Sequence, residues 1–218
     1  MADWSDEWHT VPPAQRERPC PPPEVVETVA SALREAERPL IFAGGGVVSS
    51  EASEVLVRLA ERLAAPVLTT GMGAGSIPSD PPLACGVSWI AAADIRPLVA
   101  AADVLLAVGT RFNESMTRGW ALDLPPVTIR IDIDADEIER NLPMQHKLVG
   151  DARATLMAIE EHLIAWGEDR SGQIAPQLAA ARSEYRAALT RRAGSSLPWM
   201  KALRASLPRD TIIGTDMS

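Results

Sequence analysis

Short apolar runs of β-type residues alternate with amphipathic segments of helical spacing along most of this chain. Pro23 to Glu37 carries Val25, Val26, Val29, Ala32, Leu33 and Ala36 at a helical period, and Pro39 to Ala43 follows as an apolar strand. Ser50 to Leu63 reads as a helix with Ser50 as its N-cap and Ser53, Val55, Leu56, Leu59 and Leu63 on the buried side. Pro66 to Thr70 is the second predicted strand, and a long turn-rich loop leads from it to a helix over Trp89 to Ala101. Val104 to Val108 and Val127 to Ile133 are further strands, with a short helix over Ala135 to Asn141 and a fifth strand over His146 to Val149. Ala152 to Trp166 is helical, with Leu156, Ile159 and Leu163 facing inward. Ile174 to Arg192 and Leu197 to Ser206 are predicted helices, and TIIGTD begins a strand.

This alternation predicts an α/β fold of three layers: a mainly parallel sheet with helices on both faces, of the Rossmann-like kind. The first 23 residues are polar and proline-rich (VPPAQRERPCPPP) and are expected to form an extended linker. Residues 24–167 form the expected domain, 168–196 a linker and helix, and 197–218 the start of a further domain.

Composition narrows the functions. Of 218 residues, 46% are hydrophobic and only 4% aromatic, which suits an interior of Ala, Val, Leu and Ile. The formal charge of −8 argues against nucleic acid or an anionic membrane as partner. Cys20 and Cys85 stand apart, with no spacing that suggests a disulfide framework or a zinc site. MADWSDEWHT lacks the apolar segment of a secretory signal and no long apolar run occurs, so the cytoplasm is the expected compartment.

Candidate chemistry gathers at the strand ends, where ligands of parallel sheets sit. Gly44-Gly45-Gly46 follows the first strand and supplies two glycines of a dinucleotide fingerprint, with Ser49 at the third position. No acidic residue ends the second strand, which disfavours NAD; a plain tight turn is the competing reading. Gly71, Gly73 and Gly75 form a second flexible loop. Arg111, separated from its strand by two residues, is placed to reach a phosphate or stack on a flat ring, whereas Arg118 and Arg130 have no such position. Asp132 is assigned to a ligand's hydroxyls, Asp134 to capping the helix that follows, and Asp151, behind Gly150, to capping the next. His9, His146 and His162 are isolated and receive no catalytic role.

LIFAGGGV, PVLTTGMGAGSIPSDPPLACG, ADVLLAVGTRFNE, IRIDIDADEIERN and LVGDARATL, in this order and spacing, resemble the central domain of thiamine diphosphate-dependent enzymes of the acetolactate synthase and 2-oxo acid decarboxylase group. The resemblance covers about residues 24 to 166, and SLPRDTIIGTDMS resembles the opening of that family's third domain. It implies a complete enzyme that uses thiamine diphosphate and Mg2+ on a 2-oxo acid, usually as a homo-oligomer. A first domain would supply an activating glutamate and a third domain a Gly-Asp-Gly motif. Neither is found in this chain, so no residue is assigned catalysis. Some relatives bind FAD in this domain, some ADP and some nothing. Ligand contacts implied by the resemblance fall on Gly44, Gly45 and Gly46, on Gly73 and Gly75, and on Arg111, Asp132, Gly150 and Asp151. Gly86-Val87-Ser88-Trp89 departs from the Gly-Met-His-Gly found in many acetolactate synthases and counts against FAD. The expected role is a central, non-catalytic domain; the alternative is a freestanding module that binds a nucleotide or another subunit.

Overall fold

The computed structural model describes residues 18–78, 83–87, 90, 92–117, 119–120, 122–208, 210–211 and 213. Six strands form one all-parallel sheet: β1 (Pro39–Ala43), β2 (Val67–Thr69), β3 (Ala84–Val87), β4 (Val104–Val108), β5 (Val127–Asp132) and β6 (His146–Val149). Their spatial order is β3-β2-β1-β4-β5-β6. The chain therefore builds outward from β1 in one direction, then returns to build β4, β5 and β6 in the other, and the strand order reverses between β1 and β4.

Period-two alternation assigns each strand residue to one of two cores. Ile41, Ala43, Val67, Leu106, Val108, Ile129, Ile131 and Leu148 face one side of the sheet. There they meet the apolar stripes of α1 (Pro23–Glu35), α3 (Ser53–Leu63) and α6 (Ala152–Ala165). Leu40, Phe42, Leu68, Leu105 and Ala107 face the other side. That side is covered by α4 (Arg96–Ala101) and by Leu178, Ala181 and Tyr185 of α7 (Pro176–Ala193). Because both faces are covered, β1 and β4 are buried at every position. The expected three-layer α/β fold is what the chain adopts.

The local expectations fare unevenly. Helix α1 starts at Pro23, whose missing N–H costs nothing in a first turn. Ser50 does not cap α3: a five-residue helix, α2 (Gly45–Ser49), comes first, and the Ser50 hydroxyl donates 2.8 Å back to the Gly46 carbonyl. Glu51 then turns with φ 57°, and α3 starts at Ser53 behind Ala52. Strand β3 lies inside the stretch read as loop; it is short, and its pairing with β2 slips between Val67 and Leu68, which hid it from periodicity. The helix expected over Trp89 to Ala101 shrinks to α4, where Pro97 sets the first turn; residues 88, 89 and 91 lie outside the described residues. The helix expected over Ala135 to Asn141 is only a 3-10 turn at Glu137–Glu139, and β5 stops at Asp132, leaving Ile133 exposed.

A four-residue helix, α5 (Glu114–Thr117), follows β4, and α8 (Leu197–Ser206) follows α7. The strand expected at TIIGTD falls mainly on residues outside the described set, as do the leader's first 17 residues.

Leu106 sits in the central strand with no exposure. Leu106→Ala is expected to cost about 2–5 kcal/mol, read as a lowered urea midpoint with unchanged slope.

Candidate functional site

The carboxyl ends of β1, β2 and β4 meet where the strand order reverses, and the glycines there are packed backbone against backbone. Gly109 follows β4 in a left-handed conformation, φ 58°, and lies against the Gly44–Gly46 turn. A Cβ on Gly44 would stand 2.1 Å from the Gly109 carbonyl oxygen, and one on Gly46 would stand 2.6 Å from the Gly109 Cα. A Cβ on Gly73 would stand 2.3 Å from the Ala43 carbonyl oxygen. Gly45 is less confined, 3.2 Å from the Met72 Cβ, and Gly75 meets nothing within 4 Å but holds φ 89°.

Most of these amides are engaged. The Gly44 N–H donates to the Val108 carbonyl at 2.8 Å, and the Gly46 N–H to the Gly109 carbonyl at 3.0 Å. The Gly73 N–H donates to the Thr70 carbonyl at 3.0 Å and to its hydroxyl at 2.9 Å. Gly150 donates to the Asp132 carbonyl at 2.8 Å. As arranged, these donors bind strand-end loops to one another; a phosphate would have to displace those bonds.

Arg111 lies at this edge and is exposed. Asp132 ends β5 two strands from β1, about 10 Å away at the usual strand spacing. Its carboxylate is buried, accepts the Asp134 N–H at 3.2 Å and lies 3.5 Å from the Arg130 guanidinium. Asp134 takes the capping role expected of it: it accepts from the N–H groups of Glu137 at 3.1 Å and Asp136 at 2.9 Å. Those two bonds, Glu137 first, hold its carboxyl below the usual range. Asp151 caps α6 by accepting the Ala154 N–H at 3.0 Å. It also pairs with Arg18 at 3.3 Å, whose guanidinium reaches Glu51 at 3.3 Å. The leader crosses the end of β6 here: the Asp151 N–H donates to the Pro19 carbonyl at 2.7 Å, and a Cβ on Gly150 would stand 2.7 Å from Pro21.

Arg130, set aside in the sequence, is the largest fully buried side chain among the described residues. Its guanidinium stands 3.5 Å from Asp132 and 3.7 Å from Glu137, donates to the Arg140 carbonyl at 3.2 Å, and lies 5.6 Å over the Phe112 ring. The signal in the sequence was its place inside an apolar strand two residues before Asp132, since side chains at i and i+2 share a face.

Comparison with known proteins decides the family. The profile described as "Thiamine pyrophosphate enzyme, central domain" matches residues 26–159. This chain belongs to that family. The "Probable 2-ketoarginine decarboxylase AruI" of Pseudomonas aeruginosa is 35% identical over 212 residues, 97% of this chain and 37% of that protein. A "Probable acetolactate synthase large subunit" of Methanocaldococcus jannaschii is 42% identical over 145 residues, 66% of this chain and 24% of the relative. The chain thus spans well under half the length of these relatives. The crystal structure of benzoylformate decarboxylase from Polynucleobacter necessarius shares the fold, with a TM-score of 0.55 and 20% identity over 74% of this chain and 30% of that one.

The residues present do not fit the thiamine pyrophosphate that the family's description names. Among the described residues no three His, Cys, Asp or Glu side chains converge as a metal site, and four glycine amides of the strand-end loops are already bonded. No catalytic step is assigned to them. No helix among the described residues is long and apolar enough to cross a membrane.

Two substitutions probe this edge. Gly44→Ala, which drives a Cβ into backbone, is expected to cost about 1–3 kcal/mol or more, against about 1 kcal/mol for Gly75→Ala, where only the dihedral resists. Arg130→Met is expected to cost about 3–5 kcal/mol by leaving the buried Asp132 carboxylate without its cation. Urea titrations read both.

Proposed function

We propose that this chain is the central domain of a thiamine diphosphate-dependent enzyme that decarboxylates 2-oxo acids or joins them to a second carbonyl, and that its own contribution is architectural. The observation that carries this reading is the collinear 35% identity to the P. aeruginosa decarboxylase across 97% of the chain. Thiamine diphosphate and Mg2+ are held, in this reading, by polypeptide other than this domain.

A second reading places the nucleotide part of FAD or ADP in the crevice between β1 and β4. The exposed Arg111 beyond β4 supports it, because a strand-order reversal is where parallel sheets take nucleotides. Gly44, Gly45, Gly46, Gly73, Gly75, Asp132, Gly150 and Asp151 would complete that site. The architectural reading is favoured because the Gly44, Gly46, Gly73 and Gly150 amides are committed to neighbouring loops and the Asp132 carboxylate lies against Arg130.

Exchange into the matching segment of the P. aeruginosa enzyme tests the proposal. The chimera is expected to assemble and to release carbon dioxide from its 2-oxo acid; an assembled but inactive chimera counts against the assignment. Mass spectrometry of the purified 218-residue chain is expected to find no stoichiometric nucleotide. FAD or ADP retained in equal amount would overturn the architectural reading in favour of the second.

A further inference from the structure

The strap from Arg18 to Pro22, which leads into α1, is gripped along its length. The Asp151 N–H donates to the Pro19 carbonyl at 2.7 Å, just past the end of the edge strand β6. From there the Arg18 guanidinium reaches three groups: it donates to the Ser50 carbonyl and to the carboxylates of Asp151 and Glu51, both at 3.3 Å. Arg153 of α6 lies 3.5 Å from the same Glu51 carboxylate. One side chain thus ties the start of α6 to the corner between α2 and α3, where Glu51 holds its left-handed φ of 57°. Pro19, Pro21 and Pro22 each fix φ, so few contacts suffice to hold the strap on one course.

Gly150 is the socket. Its φ is not positive, so backbone freedom does not explain a glycine there. A Cβ at this position would stand 2.7 Å from Pro21 and 3.0 Å from the Pro19 carbonyl oxygen, both in the strap, and 2.8 Å from the Thr155 hydroxyl. Glycine is needed because the strap lies on it. Two features keep the grip weak. Arg18 and Glu51 are exposed, so salt screens their attraction. The Thr155 hydroxyl is buried without a hydrogen-bond partner, a cost removed when lifting the strap admits water.

We propose that residues 18–22 are a salt-sensitive clasp. Closed, it fixes the course of the polypeptide that leads into this domain and covers Gly150 and Asp151 at the carboxyl edge of the sheet; open, it releases both. The inference deepens the architectural reading and rests on it, since a domain that positions neighbouring polypeptide must grip the chain that enters it.

The full chain carries its own reporter. Cys20 lies in the strap with its thiol 3.9 Å from the Ala154 carbonyl, and partial burial first, the Glu161 charge second, hold that thiol above its usual value. Iodoacetamide alkylation of Cys20 at neutral pH, followed by mass, therefore reads the clasp. Arg18→Ala is expected to quicken alkylation about three- to tenfold, the scale of an exposed ion-pair cluster with charge-assisted hydrogen bonds. Removing a cation from the thiol's surroundings without opening would slow the reaction, so the sign separates the two effects. Arg18→Lys, a point charge that cannot span three acceptors, is expected to fall between. Gly150→Ala, which crowds the strap without altering any charge, is expected to quicken alkylation as well. Raising salt from about 0.1 M to about 1 M shortens the screening length from about 10 Å to about 3 Å, and should quicken the wild type but not Arg18→Ala. Cys85, buried and with its thiol pushed up to about 11, should stay unmodified throughout, which marks the opening as local.

An unchanged or slower Cys20 in Arg18→Ala, a wild type indifferent to salt, or Cys85 reacting in step with Cys20 overturns the clasp. An inactive chimera with the P. aeruginosa enzyme would instead count against the architectural reading while leaving the Cys20 rates as they are, so the two failures are distinguishable.

Discussion

The centre of this molecule depends on three strand-end loops approaching closer than any side chain permits. Gly44 and Gly46 press on Gly109, and Gly73 presses on Ala43, at distances where a Cβ would overlap backbone. Because the loops touch directly, their amides and carbonyls satisfy one another: Gly44 to Val108, Gly46 to Gly109, Thr70 to Ala43. Buried backbone groups with no partner would each cost on the order of a kcal/mol or more. Glycine is required here for contact, and the same contact removes these amides from the set that would otherwise cradle an anion.

That constraint bears directly on function. In a sheet of this topology a reversal of strand order opens a crevice, and glycine loops lining it are a familiar means of admitting a phosphate. Here the loops close on themselves, and the cation next to them, Arg111, is exposed. Farther along the edge, Asp132 is held by Arg130, and Asp151 by Arg18 and the Ala154 amide. The acidic residues with ligand-binding geometry are therefore already engaged within the chain. This agrees with the architectural role proposed above.

Arg130 is the exception that the core accommodates. Two carboxylates, one carbonyl and an aromatic face offset part of its desolvation, while its Nε and Nη2 atoms are buried without a hydrogen-bond partner. It ties β5 to the 3-10 turn carrying Glu137 and to Phe112 beyond β4, so it couples two strand ends through one side chain.

Much of this was legible in the sequence because it is local. Apolar runs such as Pro39 to Ala43 and Val104 to Val108, the spaced Val and Leu residues of α1 and α3, and the caps Asp134 and Asp151 follow from strand pleat, helix period and short-range hydrogen bonding. So did the family, because five motifs kept their order. Other features are set by residues distant in sequence. β3 exists because Ala84 to Val87 finds an edge on β2; Ser50 turns back on Gly46 because it closes α2 instead of opening α3; Arg130 is buried where Asp132 and Glu137 converge on it. Whether Gly44 and Gly46 would face a ligand or Gly109 was decided only when β4 was laid beside β1, since a glycine in a sequence states the freedom of its backbone but not what will occupy the space its missing side chain leaves.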